Sequence, residues 1–165
     1  YEGGIRVPLI IRGPAVPAGR VDDRSVLCGV DFLPTICELA GVEVPQDIRE
    51  GIRGQSMAAA WRGAEVQRTQ PLLWEWRFRI ANHPWNRSPM LAVRDGNWKL
   101  LLNPDRSRVE LYDIYQDPGE QNNLADRHPE IVARLAETAI AWQQTLPSGK
   151  VEAPAGKNDY PWPGR

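Results

Sequence analysis

The chain has 165 residues, 42% of them apolar and 25% charged, proportions that support a folded core. Twenty Lys and Arg residues against 21 Asp and Glu leave a formal net charge of −1, which excludes the electrostatic footprint of a nonspecific nucleic-acid or membrane-surface binder. No apolar run approaches the roughly 20 residues that cross a bilayer.

The chain opens on Tyr1, and residues 1–8 read as the middle of a folded domain, so a natural N-terminus with any export signal is expected upstream. Pro8-Leu9-Ile10-Ile11 is a continuously apolar run between Gly3-Gly4 and Gly13-Pro14. That pattern predicts a strand buried on both faces, as in a parallel sheet covered by helices. Val26-Leu27-Cys28 is a second strand candidate. A helix is predicted next, with Asp31 as N-cap, Pro34 in the first turn and Gly41 as the stop. Its apolar residues Phe32, Leu33, Ile36, Leu39 and Ala40 share one face. A shorter helix with a cap at each end is predicted between Ser56 and Gly63, and these elements make up a first part, residues 1–63.

The pattern changes in the second part, residues 64–146. Residues 71–77, 90–94, 98–102 and 109–114 are four strand candidates. Asp95-Gly96 between the second and third is a type I′ hairpin signal, which would pair Val93 with Trp98 and Leu91 with Leu100 and set all four on one face with Leu102. Asn103-Pro104-Asp105 and Asp117-Pro118-Gly119 mark further turns. A helix from Pro129 follows, with Ile131, Leu135, Ala139, Trp142 and Leu146 as its buried stripe. Four antiparallel strands and one helix make a small α+β layer. Residues 147–165, rich in Pro, Gly and Lys and without periodicity, read as an irregular tail.

Cys28 and Cys37, the only cysteines, read as two buried free thiols, and with His83 and His128 they lack the close ligand pairing of a zinc site. Glu2 and Arg6 flank the Gly3-Gly4 turn and read as a charge pair bracing it, with contact between Arg6 and an anionic substrate as the alternative. Trp98 and Trp142 fall at core spacings, and His128 marks a helix boundary. The segment 74–87 is denser: Arg77, Arg79, His83, Trp85, Asn86 and Arg87 lie in a stretch that loses its packing period after Phe78 and holds two prolines. A loop so furnished is a candidate substrate-binding element, because guanidinium groups pair oxyanions and Trp stacks on rings. A plain surface connector with Trp85 tucked under its own backbone is the competing reading.

Several strings carry a family resemblance. Tyr1-Glu2-Gly3-Gly4-Ile5-Arg6-Val7-Pro8, Asp31-Phe32-Leu33-Pro34-Thr35 with Leu39-Ala40-Gly41, Ala92-Val93-Arg94-Asp95-Gly96-Asn97-Trp98-Lys99-Leu100, and Glu110-Leu111-Tyr112-Asp113 with Asp117-Pro118-Gly119-Glu120 and Asn123-Leu124 occur in the order found in sulfatases. The chain resembles the C-terminal portion of that family, within the alkaline-phosphatase-like superfamily. The resemblance implies an α/β protein: the end of an alkaline-phosphatase-like α/β domain in residues 1–63, then a small α+β subdomain of a four-stranded antiparallel sheet and a C-terminal helix.

The resemblance also implies hydrolysis of a sulfate ester, of an aryl alcohol or a carbohydrate. The nucleophile would be a formylglycine made in a Cys-x-Pro-x-Arg motif, and carboxylates would hold a calcium ion. Neither Cys28 nor Cys37 stands in that motif. Asp22-Asp23 is similar to the family's metal-binding pair, but it follows the Pro17-Ala18-Gly19 turn and precedes Arg24, so a solvated turn is expected. No catalytic residue and no metal ligand is therefore assigned to this chain; calcium is expected on residues outside it. The implied partners are the N-terminal part of the same protein and a sulfated small molecule or glycan. An exported location (periplasmic, secreted or lysosomal) goes with the family. A phosphonate or phosphate monoester hydrolase and a non-catalytic anionic-glycan-binding module are the alternative functions.

Overall fold

The computed structural model describes residues 1–49, 51, 53–78, 88–153, 155 and 156. They divide into two compact units: Tyr1–Val7 together with the described residues from Pro71 onward, and Pro8–Gln70. The first seven residues thus belong with the small sheet and not with the residues that follow them. No helix among the described residues is long and apolar enough to cross a membrane.

In the first unit a one-turn helix, α1 (Glu2–Ile5), precedes strands β1 (Leu72–Glu75), β2 (Leu91–Asp95), β3 (Trp98–Leu102) and β4 (Glu110–Asp113). The strands form one antiparallel sheet in the order β1-β2-β3-β4. Its hairpin register differs from the expected one. Asp95 pairs with Trp98, Val93 with Leu100 and Leu91 with Leu102, so Gly96 and Asn97 form the loop, with φ +58° at Gly96. Glycine at the first central position, where positive φ is required, is the type II′ requirement and not the Asp-Gly type I′ arrangement. The shift is two residues, one full pleat period, so every side chain keeps its expected face.

A long helix, α5 (Pro129–Gln144), covers one face of the sheet. Leu91, Val93, Leu100, Leu102 and Leu111 pack there against Leu135, Ala136 and Ala139, flanked by Ile131, Val132 and Ile140. Trp142 and Leu146, expected in the buried stripe, are only half-buried. Pro129 stands at the first helical position, where its missing N–H costs nothing, and the His128 ring lies 4.9 Å from the Trp98 ring. The opposite face is also covered: Leu101, Tyr112 and Ile114 pack with Tyr1 and Ala92. The start of the tail lies on this unit, with the Glu152 N–H donating to Arg77 O and Gly156 O accepting from Asn103 and Arg108.

The second unit holds α2 (Phe32–Ala40), α3 (Gln46–Arg49) and α4 (Ala58–Trp61). Helix α2 stops at Gly41, with the Val42 N–H donating to Cys37 O at 2.9 Å. Asp31 precedes it, but its carboxylate does not cap α2. It is completely buried and accepts from Cys28 N (2.7 Å), Gln55 N (3.0 Å) and Arg68 Nη1 (2.6 Å). The equally buried Thr35 hydroxyl donates to Asp31 O and accepts from Met57 N. Gly54 permits this closure, since a Cβ there would sit 1.9 Å from Val30 O. The polar residues of the Asp31–Thr35 string therefore knit three chain segments together. Cys28 and Cys37 are free and half-buried, not fully buried.

Two expected strands are absent. Residues 8–11 and 26–28 form no ladder, and Leu9 and Ile10 are 47% and 92% exposed. An extended segment becomes a strand only when a neighbour takes up its N–H and C=O groups. The described residues of this unit contain no strand that could do so.

Leu100 lies at the centre of the α5-covered face and is fully buried. Leu100→Ala is expected to cost about 2–5 kcal/mol of unfolding free energy, read as a fall in the denaturation midpoint with an unchanged slope.

Candidate functional site

Of the six residues singled out as substrate-binding candidates, Arg77 alone lies among the described residues; Arg79, His83, Trp85, Asn86 and Arg87 fall outside them. The ends of that segment are well fixed. The Trp76 N–H donates to Met90 O at 2.7 Å, so chain leaves and returns at the end of the β1–β2 pairing. Arg77 is held by its neighbours: its Nε lies 2.6 Å from Glu75 Oε2, and its Nη1 donates to Pro147 O. Glu75 Oε1 also accepts from Gln143 of α5. Arg77 thereby ties β1 to the α5 side of the sheet. Trp76 and Phe78 project into solvent with their rings edge to face, 5.9 Å apart.

Sequence reasoning missed a second cluster, on the sheet face away from α5. Lys99 lies in mid-β3 and is completely buried. Its ammonium sits 2.9 Å from Glu2 Oε1 and 2.8 Å from Glu120 Oε1. The Glu2 backbone N–H donates to Glu120 Oε2 at 2.5 Å, and Arg94 Nη1 stands 3.8 Å from Glu2 Oε2. Two carboxylates thus face one ammonium and one guanidinium, which leaves the buried cluster balanced in charge. Beside it, Glu110 Oε2 accepts from the phenols of Tyr1 (2.8 Å) and Tyr112 (3.0 Å). Burial and the Glu110 carboxylate push the Tyr1 phenol up, so it stays protonated as the donor.

Glu120 reaches this cluster from the Asp117-Pro118-Gly119 turn. Its own φ is +53°, a left-handed conformation that costs a non-glycine residue about 1–2 kcal/mol. The Asp117 carboxylate holds the turn by accepting from Gln121 N (2.8 Å) and Asn122 N (2.7 Å). Partial burial opposes ionisation of Asp117, but these two amides outweigh it and hold the group below the usual carboxylate range.

The expected Glu2–Arg6 pair does not form. Glu2 turns to Lys99 and Arg94, whereas Arg6 is exposed and caps α1 through its backbone N–H. Lys99 carried a usable signal, because it shares its face with Leu101 and Tyr112, and that face needed only a cover to bury it. Asp22 does form the expected turn, accepting from Arg24 N (3.0 Å) and Ser25 N (2.9 Å).

Chemically, the carboxylates of the cluster are paired with cations, although Glu120 Oε1, 2.8 Å from the Lys99 ammonium, makes no aligned hydrogen bond. Each buried carboxylate is engaged: Glu2 and Glu120 by Lys99, Glu110 by the two phenols, and Asp31 by Arg68 and two amides. Among the described residues no group of three or more His, Cys, Asp or Glu side chains is placed to hold a metal ion. The described residues do not fit a calcium site. What the arrangement does is clamp residues 1–5 to the sheet.

An antiparallel four-stranded sheet backed by one long helix, behind the Tyr1-Glu2-Gly3-Gly4 turn, places the chain among sulfatase C-terminal regions. The family model described as N-sulphoglucosamine sulphohydrolase, C-terminal, matches residues 1–145, and the chain belongs to that family. It is 33% identical over 143 residues to the choline-sulfatase of Rhizobium meliloti (strain 1021), covering 85% of this chain and 25% of that protein. It is equally 33% identical over 140 residues to the Delta 4,5-hexuronate-2-O-sulfatase of Bacteroides thetaiotaomicron, covering 83% of this chain and 27% of that one. Among solved structures, a 2-O GAG sulfatase superposes with a TM-score of 0.57 at 26% identity, covering 81% of this chain and 29% of that one. The chain therefore spans about a quarter of the length of the curated relatives it matches.

Lys99→Met leaves two buried carboxylates without their cation and is expected to destabilise the fold by about 3–5 kcal/mol. Adding Glu2→Gln and Glu120→Gln is expected to recover most of that loss in urea denaturation; an unrecovered loss would show that the packing of Lys99, not its charge, matters. A pH series tests the turn. The depressed Asp117 pKa stabilises the fold above the ordinary carboxylate range, about pH 4, and that contribution is lost as pH falls through the lower folded value. The stability advantage of the wild type over Asp117→Ala is expected to be full near neutrality and to shrink in acid.

Proposed function

We propose that the chain is the C-terminal part of a longer sulfatase acting on a sulfated carbohydrate or an aryl sulfate, in which it supplies scaffold and one wall of the substrate pocket. The family match across residues 1–145 carries this reading. Relatives named for both substrate classes support it, a hexuronate-2-O-sulfatase and a 2-O GAG sulfatase for the carbohydrate and arylsulfatase K for the aryl ester. The buried carboxylates among the described residues fit a supporting role, since each is tied to a cation, a phenol or a backbone amide. A formylglycine nucleophile and a calcium ion belong to the same proposal and are assigned to no residue of this chain, as does export to the periplasm, the lysosome or the medium.

Substrate contact is assigned to the segment that leaves the sheet at Trp76 and returns at Met90. In this reading Arg79, His83, Asn86 and Arg87 bind sulfate or uronate oxygens, and Trp85 stacks on a sugar or aryl ring. Arg77, engaged by Glu75, anchors the root of the segment and reaches substrate only by giving up that carboxylate.

The experiment is kinetic, on the full-length polypeptide. It is expected to hydrolyse sulfated disaccharides in preference to phosphate monoesters, whereas residues 1–165 alone are expected to turn over neither. His83→Ala or Arg87→Ala is expected to lower kcat/KM for the favoured sulfate ester by roughly ten- to a hundredfold, the kinetic equivalent of a lost charged hydrogen bond, with the melting temperature unchanged. Wild-type kinetics in both variants on every sulfate ester would reduce the segment to a surface connector. Turnover by residues 1–165 would overturn the assignment of the chemistry to residues outside this chain.

A further inference from the structure

The family match ends at residue 145, but the chain beyond it is tied to the sheet at several points. Pro147 O accepts from Arg77 Nη1, and the Glu152 N–H donates to Arg77 O at 3.0 Å. A turn closed by the Ala155 N–H on Glu152 O then brings the buried Gly156 to Asn103, just beyond β3. The Asn103 amide is engaged at both ends. Its Oδ1 accepts from Met90 N at 3.1 Å, and its Nδ2 donates to Ser107 Oγ (2.9 Å) and Gly156 O (3.0 Å). Arg108 Nη1 donates to the same Gly156 carbonyl at 3.0 Å. Gly156 has a φ of +68°, and a Cβ there would overlap Asn103 Oδ1 and lie 2.8 Å from Met90 Cγ, so the closure needs glycine. All these contacts fall at one end of the sheet, where β1 stops and β2 begins.

We propose that this strap, the described residues from Pro147 to Gly156, positions the substrate-binding segment, with Gly156 and Asn103 as the positioning residues. It holds Arg77, where the segment departs, directly, and Met90, where it returns, through the Asn103 amide. The proposal rests on the assignment of substrate contact to that segment. A loop whose two ends are held at a fixed separation gives up less entropy when it orders on a ligand, so the strap raises affinity. It touches none of the residues assigned to substrate contact except Arg77, and its effect therefore falls on KM and not on kcat. Because the strap lies beyond the matched residues 1–145, it is a means of tuning substrate preference while the matched part of the chain keeps its fold.

The test uses the full-length protein and two variants, Gly156→Val, which blocks the closure, and Asn103→Asp, which keeps the acceptor for Met90 N but loses the donor to Gly156 O. Hydrogen exchange at the Glu152 amide, read by mass spectrometry, reports whether the strap is released, and is expected to quicken roughly tenfold in both. Kinetics are measured on a sulfated disaccharide and on 4-nitrophenyl sulfate. For whichever is hydrolysed faster, KM is expected to rise roughly five- to tenfold in both variants, with kcat within about twofold and the melting temperature unchanged. Unchanged Glu152 exchange in both variants would overturn the proposal, as would a fall in kcat accompanied by a lower melting temperature. Faster exchange with wild-type KM, beside the expected loss in His83→Ala, would overturn the strap proposal alone. Wild-type KM in the strap variants, His83→Ala and Arg87→Ala together would overturn the assignment of substrate contact on which the proposal rests.

Discussion

The Lys99 ammonium sits between the carboxylates of Glu2 and Glu120, inside a sheet face that would otherwise be apolar. Removing these charges from water is costly, and the cost is offset because the Lys99 contacts are short and Arg94, 3.8 Å from Glu2, supplies the second positive charge. The three residues come from the chain start, mid-sheet and the turn after β4, so the cluster forms only when all three segments are in place. It fixes the position of α1, accounts for a non-glycine residue held at positive φ, and makes the sheet a layer covered on both faces. Without it, β2 to β4 would still pack on α5, and Tyr1 would keep its bond to Glu110, but Glu2 would lose its ionic anchor on the sheet.

The second unit depends on a comparable device with a different outcome. Asp31 and Thr35 satisfy backbone donors from segments that have no regular structure of their own, and Arg68 supplies the counter-charge. Polar bonding through Thr35, together with the Phe32–Trp61 ring contact, sets the orientation of α2. Leu33, Ile36 and Leu39 are consequently displayed, while Phe32 meets the Trp61 ring edge to face. The small sheet with α5 has a complete core and the second unit does not. That asymmetry agrees with a chain spanning about a quarter of its relatives' length.

In the proposed reading the catalytic chemistry belongs to residues outside both units. Among the described residues each buried carboxylate has an ion-pair or hydrogen-bond partner, and the end of the β1–β2 pairing is braced by Arg77, Glu75 and Gln143.

The sequence by itself determined the local elements: the four strands, the Pro129 start of α5, the Gly41 stop of α2 and the Asp22 turn. Each depends on a period of two or 3.6 residues, or on a turn residue acting within a few positions. It also determined the family, through strings of Asp, Gly and Pro whose order survives without any knowledge of contacts. Tertiary structure decided the rest. The hairpin register moved by one pleat period, a shift that hydrophobic alternation cannot detect because it preserves both faces. Lys99 found partners 97 residues before it and in the turn after β4, and no local pattern indicates such pairing. Residues 8–11 stayed unpaired despite an apolar strand sequence, because a strand is a relation between two segments and the described residues of its unit supply only one.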